Sequence, residues 1–123
     1  MDRKSLLETI KLDRFIALDF ETTGLSTEKD RIIEVAAILF ENGEPAKRFV
    51  SLVKPILPIP KLIEGITGIT NEMVEYAPSE KDIVDDLFDF IGKNPIVAHN
   101  TPFDLSFLIS LSERYQIDFE KPL

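Results

Sequence analysis

From Arg14 the chain is apolar at nearly every position, Phe15-Ile16-Ala17-Leu18, until Asp19 interrupts it and Phe20 resumes. A short run without alternation predicts a central strand covered on both faces. Thr22-Thr23-Gly24 breaks the run. Arg31 to Phe40, rich in Ile and Val, predicts a second strand, and Asn42-Gly43 is a strong hairpin signal leading into a third strand over residues 46–53. Prolines at 45, 55, 58 and 60 then predict extended, exposed loop from Lys54 to about Gly65, with a short helix near Asn71–Tyr76.

After Pro78 the period changes. Ser79 and Asp82 form a capping box, and Ile83, Val84, Leu87, Phe88 and Ile91 make an amphipathic face that stops at Gly92. Pro95-Ile96-Val97-Ala98 predicts a short buried strand. Thr101 is expected to cap a last helix with Pro102 at its first position, turning Phe103, Phe107, Leu108 and Leu111 inward. Residues 116–123 drift into loop. Leu6, Leu7 and Ile10 could share one side of a short N-terminal helix, but no convincing cap precedes it.

The expected order is therefore β-β-β-α-β-α. The helical crossover makes the fourth strand parallel to its neighbour, the first strand. This is an α/β fold with a mixed sheet, a three-stranded antiparallel meander plus a parallel strand, with flanking helices. Residues 1–13 are set apart as an N-terminal extension, and 14–123 form one domain.

Composition narrows the function classes. The 123 residues contain 14 basic and 22 acidic side chains, a net charge of −8, which argues against coating nucleic acid through a broad basic field. It leaves room for a phosphodiester held through metal ions, since such sites are built from carboxylates. With no Cys, disulfides, thiolate zinc sites and thiol nucleophiles are excluded. No run is long enough for a membrane span and no cleavable leader is visible, so a cytoplasmic address is expected.

Asp19 and Glu21 stand two apart at the end of the first strand, so their side chains share a face roughly 6–7 Å apart. They are either a polar strand end or a pair that a cation joins, and two divalent ions about 3.5–4 Å apart suit the span. Asp104 has a structural reading as the acid of a capping box after Thr101. It has a functional one if parallel pairing brings its turn to the same sheet edge as Asp19 and Glu21, where α/β sheets bind ligands. His99 and Asn100 could fix the turn after the fourth strand. Gly24 allows a tight turn, and its loop could receive a sugar-phosphate end, with Leu25 wedged against a terminal base. Glu34 is either a core acid paired with Arg31 or a group that supports the site from behind, and the structural version is favoured.

Taken together, Asp19-Phe20-Glu21-Thr22-Thr23-Gly24-Leu25 resembles the first motif of the DnaQ-like (DEDD) exonucleases, the family of the proofreading epsilon subunit of bacterial DNA polymerase III. His99-Asn100-Thr101-Pro102-Phe103-Asp104 resembles the second, with Arg31-Ile32-Ile33-Glu34-Val35 and Thr67-Gly68-Ile69-Thr70 as landmarks between them. The resemblance implies a ribonuclease H-like fold and hydrolysis of nucleic acid, DNA before RNA, from the 3′ end to nucleoside monophosphates, in proofreading or repair. It implies two Mg²⁺ or Mn²⁺ ions, with Asp19 on both, Glu21 on the ion that activates water, and Asp104 on the other. Thr22, Thr23, Gly24 and Leu25 would grip the terminal nucleotide, with Phe20, Thr67, His99, Asn100 and Phe103 also at the substrate. The partners implied are a single-stranded 3′ end and a DNA polymerase or helicase, fused or separate, and no membrane.

Two departures modify this expectation. Thr67 stands where the family commonly has His. The third motif, a further carboxylate with a His or Tyr, is not found, and Tyr115-Gln116-Ile117-Asp118 has the wrong spacing. Residues 14–123 are thus expected to be a C-terminally truncated exonuclease domain, weak or inactive alone, with an exposed sheet edge. The competing expectations are a non-catalytic nucleic-acid- or protein-binding module, and a carboxylate metal enzyme acting on a small phosphorylated substrate.

Overall fold

The computed structural model describes residues 2–9, 12–98 and 100–119. Strand β1 (Arg14–Thr22) turns Ile16, Leu18 and Phe20 inward, while Phe15 and Ala17 are half-covered and Asp19 is exposed. The all-apolar run therefore has one fully buried face, not two. Its half-covered face is closed in part by Phe15 stacking on Phe40, ring centroids 5.1 Å apart.

Strand β2 (Ile32–Glu41) pairs antiparallel with β1 and with β3 (Glu44–Leu52). The β2–β3 turn is the expected Asn42-Gly43, with φ of 53° and 82°, both in the left-handed region that two-residue hairpins demand. Strand β4 (Ile96–Ala98) lies parallel to β1, giving the order β3-β2-β1-β4. The expected mixed sheet is thus observed. β4 is not buried, however: it is an edge strand among the described residues, and Val97 is 43% exposed.

Helix α1 (Arg3–Thr9) does have a cap, because the Asp2 carboxylate accepts the Ser5 N–H at 2.8 Å. Leu6 on it is exposed, and Ile10 lies outside the described residues. Part of the expected Pro-rich loop is helical. α2 (Lys61–Thr67) begins directly after Pro60, whose φ of −60° suits a helix entrance. α3 (Asn71–Val74) follows, and Ile59, Ile69 and Val74 pack with Ile33 in a small satellite core. α4 (Glu80–Ile91) starts on the expected Ser79–Asp82 capping box and ends at Gly92.

In α5 (Thr101–Arg114), Asn100 occupies the cap position and Thr101 is the first helical residue, its hydroxyl donating to Ala98 O. The apolar stripes of α4 (Ile83, Val84, Leu87, Ile91) and α5 (Phe107, Leu108, Leu111) join the buried side chains of β1 and β2 in the main core. That packing fixes where the first turn of α5 sits relative to the end of β1.

Candidate active site at the end of the first strand

Glu21 lies at the last regular position of β1, just before the ladder slips between Glu21 and Thr22. Such an irregularity re-aims the chain as it leaves the sheet. Directly across the ladder from Glu21 stands Glu34 of β2, an unfavourable placing of like charges. The Glu21 carboxyl is held above the usual glutamate range, first by burial and then by Asp19, Glu34 and Asp104. Among the described residues Asp19, Glu21 and Glu34 make no ion pair. The expected Arg31–Glu34 pair does not form. Arg31 Nη1 donates instead to the carbonyls of Glu28 and Asp30, both at 2.9 Å.

Asp104 is buried at 2% exposure, and its Oδ1 accepts the backbone N–H of Phe20 at 3.0 Å. The residue between the two strand acids is therefore tied to the helix acid, 84 positions on. The helix-capping reading of Asp104 gives way to this contact, because Asn100 is the cap and Asp104 is three residues beyond Thr101. Parallel pairing of Leu18 with Ala98 puts both strand ends at one edge of the sheet. His99 lies outside the described residues.

The loop after β1 is closely tied. Thr22 is buried and its hydroxyl donates to Gly24 O. Asp30 accepts from the Thr23 hydroxyl at 3.2 Å and the Ser26 N–H at 2.9 Å. A Cβ on Gly24 would come within 2.4 Å of that carboxylate. Gly24 is thus required by close approach and not by its φ, which is not positive. Leu25 projects at 86% exposure. From the other side, Ser110 Oγ and Arg114 Nη2 of α5 both donate to Thr27 O at 3.3 Å. Arg114 is itself held by buried Glu80 at 2.6 Å, and Tyr115 OH donates to the same carboxylate.

The remaining expected substrate residues are placed unevenly. The Phe20 ring is in the core, leaving its N–H as its share in the site. Phe103 is half-buried with its ring 5.0 Å from that of Phe107. Asn100 is exposed and makes no side-chain cap bond. Thr67 donates its hydroxyl to Ile63 O and accepts from the Ile69 N–H, so it serves the end of α2. Sequence reasoning set the supporting role of Glu34 behind its pairing with Arg31, and missed the Arg114 latch. The first depends on β1–β2 register across a long loop, the second on residues 34 apart, and neither leaves a local pattern.

A family pattern described as Exonuclease, RNase_T, matches residues 16–122. The chain belongs to the RNase_T exonuclease family. It is 41% identical over 109 residues to a PolC-type DNA polymerase III of Oceanobacillus iheyensis, covering 89% of this chain and 8% of that protein. It is 42% identical over 96 residues to the 3′-5′ exonuclease DinG of Bacillus subtilis, covering 77% and 10%. It is 33% identical over 102 residues to the DNA polymerase III subunit epsilon of Aquifex aeolicus, covering 83% and 50%. The chain thus spans half of the epsilon subunit and a tenth or less of the other two. Its fold matches E. coli exonuclease I, crystallised with a dT13 oligonucleotide, at a TM-score of 0.77 and 23% identity over 86% of this chain and 25% of that one. The ribonuclease H-like fold and membership of a 3′–5′ exonuclease domain family follow.

Exonucleases of this family generally use divalent metal ions. The donor set here fits hard divalent cations in kind: oxygen ligands only, neighbouring acids, and a Glu21 that burial and then those acids push toward the neutral form. Among the described residues no three such side chains already stand close enough to enclose an ion. Among the described residues, no helix is long and apolar enough to cross a membrane.

Proposed function

We propose that Asp19, Glu21 and Asp104 are the carboxylate half of a two-metal site that hydrolyses nucleic acid, DNA in the first place, from a single-stranded 3′ end. The observation that carries this reading is the Asp104–Phe20 hydrogen bond, which joins the acid of α5 to the strand segment bearing the other two. These three acids would hold two Mg²⁺ or Mn²⁺ ions. When bound, such ions lower the pKa of a coordinated water and offset charge on the attacking and leaving oxygens.

The chain's own part is positioning. The Phe20 N–H fixes the Asp104 carboxylate, the Arg114 and Ser110 bonds to Thr27 O hold the loop, and Leu25 is left free to meet a terminal base. An acidic chain can handle DNA in this way because only a short end has to enter. The wider setting is proofreading or repair in the cytoplasm, beside or within a polymerase or helicase. The names PolC-type DNA polymerase III and 3′-5′ exonuclease DinG support that setting. With two of the family's three motifs in these 123 residues, hydrolysis by this polypeptide alone is slow.

Fluorescence anisotropy with Mn²⁺ tests the reading. A strand with a free single-stranded 3′ end should bind at least about tenfold more tightly than a hairpin whose 3′ end is paired, and Asp19→Ala should remove the Mn²⁺ dependence. Equal binding of the two DNAs, or an unchanged Mn²⁺ response in Asp19→Ala, would refute it.

A further inference from the structure

Beside the loop that follows β1 lies a cavity of about 180 Å³, walled by Thr23, Lys29 and Arg31 on one side and by Ile56, Leu57 and Pro58 on the other. Its chemistry is two-sided. The Pro-rich wall offers apolar surface and few N–H donors, since proline has none. The opposite wall brings two cations. Asp30 also borders the cavity, but its carboxylate is engaged by the Thr23 hydroxyl and the Ser26 N–H. Arg31 is fixed by the carbonyls of Glu28 and Asp30, while its Nε is buried and finds no acceptor among the described residues. The charge that Lys29 and Arg31 bring to this wall favours a ligand that supplies an anionic oxygen.

A second cavity, about 380 Å³, lies across the same loop and shares Ile56, Leu57 and Pro58. There the polar wall carries Glu72 and Glu75 beside Lys54, which does not suit an anion. The two cavities therefore differ in charge while sharing an apolar wall. Ile56 and Leu57, 80% and 70% exposed, are available to whatever enters.

We infer that the Lys29–Arg31 cavity is a nucleotide subsite for the substrate strand upstream of its 3′ end, taking one phosphate on Arg31 and Lys29 and one base or sugar against Ile56, Leu57 and Pro58. Two features favour a nucleic-acid strand. The cavity shares Thr23 with the loop assigned to the terminal nucleotide, and anion plus flat apolar body is what a nucleotide presents. The inference rests on the proposed exonuclease function, and it assigns the cavity to a nucleotide beyond the two at the 3′ end.

Calorimetry with oligothymidylates of two and six nucleotides in Mn²⁺, on a time scale short against hydrolysis, separates the two. The six-mer should bind the parent about tenfold more tightly than the dimer, the order expected of one added stacked and phosphate-bonded unit. Ile56→Asp and Lys29→Ala, both at exposed positions, should erase that gain and leave dimer binding unchanged. Arg31→Gln should do the same and flatten the salt dependence by about 0.7 in log–log slope, the share of one single-strand phosphate. A gain that survives all three substitutions overturns the subsite. An acidic peptide that loses affinity in Ile56→Asp while the six-mer does not would give the cavity to a protein partner and also overturn it. Loss of dimer binding in the parent would strike at the exonuclease reading itself.

Discussion

Two acids, one buried at the start of α4 and one half-buried at the end of β1, are treated in opposite ways. Glu80, at the start of α4, is 6% exposed and is met by the Arg114 guanidinium and the Tyr115 hydroxyl. Its charge is answered from within the protein, and the resulting contacts run on to Thr27 O and pin the loop. At the end of β1, Glu21 faces Glu34 across the ladder and lies near Asp19 and Asp104, and burial followed by their charge presses its carboxyl toward the neutral form. The first cluster is what acids look like when they hold a fold together. The second gives up stability in the folded chain, which is the usual mark of a site kept for a ligand.

Breaking the first cluster should have the largest effect. Arg114→Ala leaves Glu80 buried without its cation and should cost about 3 kcal/mol in a urea melt, the low end for a broken buried pair because Arg114 retains 25% side-chain exposure. A loss below about 1 kcal/mol would mean the pair is no more than a surface contact. At the second cluster the two substitutions of Asp104 should part company. Asp104→Ala strips the Phe20 N–H of this acceptor and should cost about 1–3 kcal/mol. Asp104→Asn keeps an acceptor oxygen, so it should cost less than Asp104→Ala while weakening metal binding. Equal losses in the two variants would show that the Phe20 bond is not what positions this side chain.

The smallest effect is the most diagnostic. Because the Glu21 carboxyl is raised in the fold, the native state binds more protons than the unfolded chain between the ordinary glutamate value and the raised one. Stability therefore falls as pH rises through that window, and the loss persists above it. Glu21→Gln should melt slightly higher than the parent at neutral pH and lose that advantage below the ordinary glutamate range. Thermal melts across pH read this directly, and a parent that gains stability over the same window would contradict it.

How much of this was legible in the sequence follows from where the information sits. Asn42-Gly43, the Ser79–Asp82 box and the apolar spacing of α4 are local signals, and each appeared as expected. The crossover rule put β4 beside β1, which is why Asp104 could be expected near Asp19 and Glu21 at all. Helix α2 was missed because three nearby prolines outweigh a weak seven-residue pattern, although Pro60 at its entrance is compatible with a helix start. The second face of β1 was misjudged because an apolar run cannot say what will cover it. Thr101 is a favourable cap residue by type, but the backbone places the cap one residue earlier, at Asn100, which a residue-type signal does not resolve. Glu34 and the Arg114 latch required register and tertiary contact.

The most direct test is a calorimetric titration of Mn²⁺ into the parent chain and into Asp19→Ala. If the strand and helix acids converge on shared cations, the parent takes up Mn²⁺ and the variant loses at least about tenfold in affinity. Identical isotherms for the two proteins would mean that these carboxylates do not act together, and the metal-dependent account would fall.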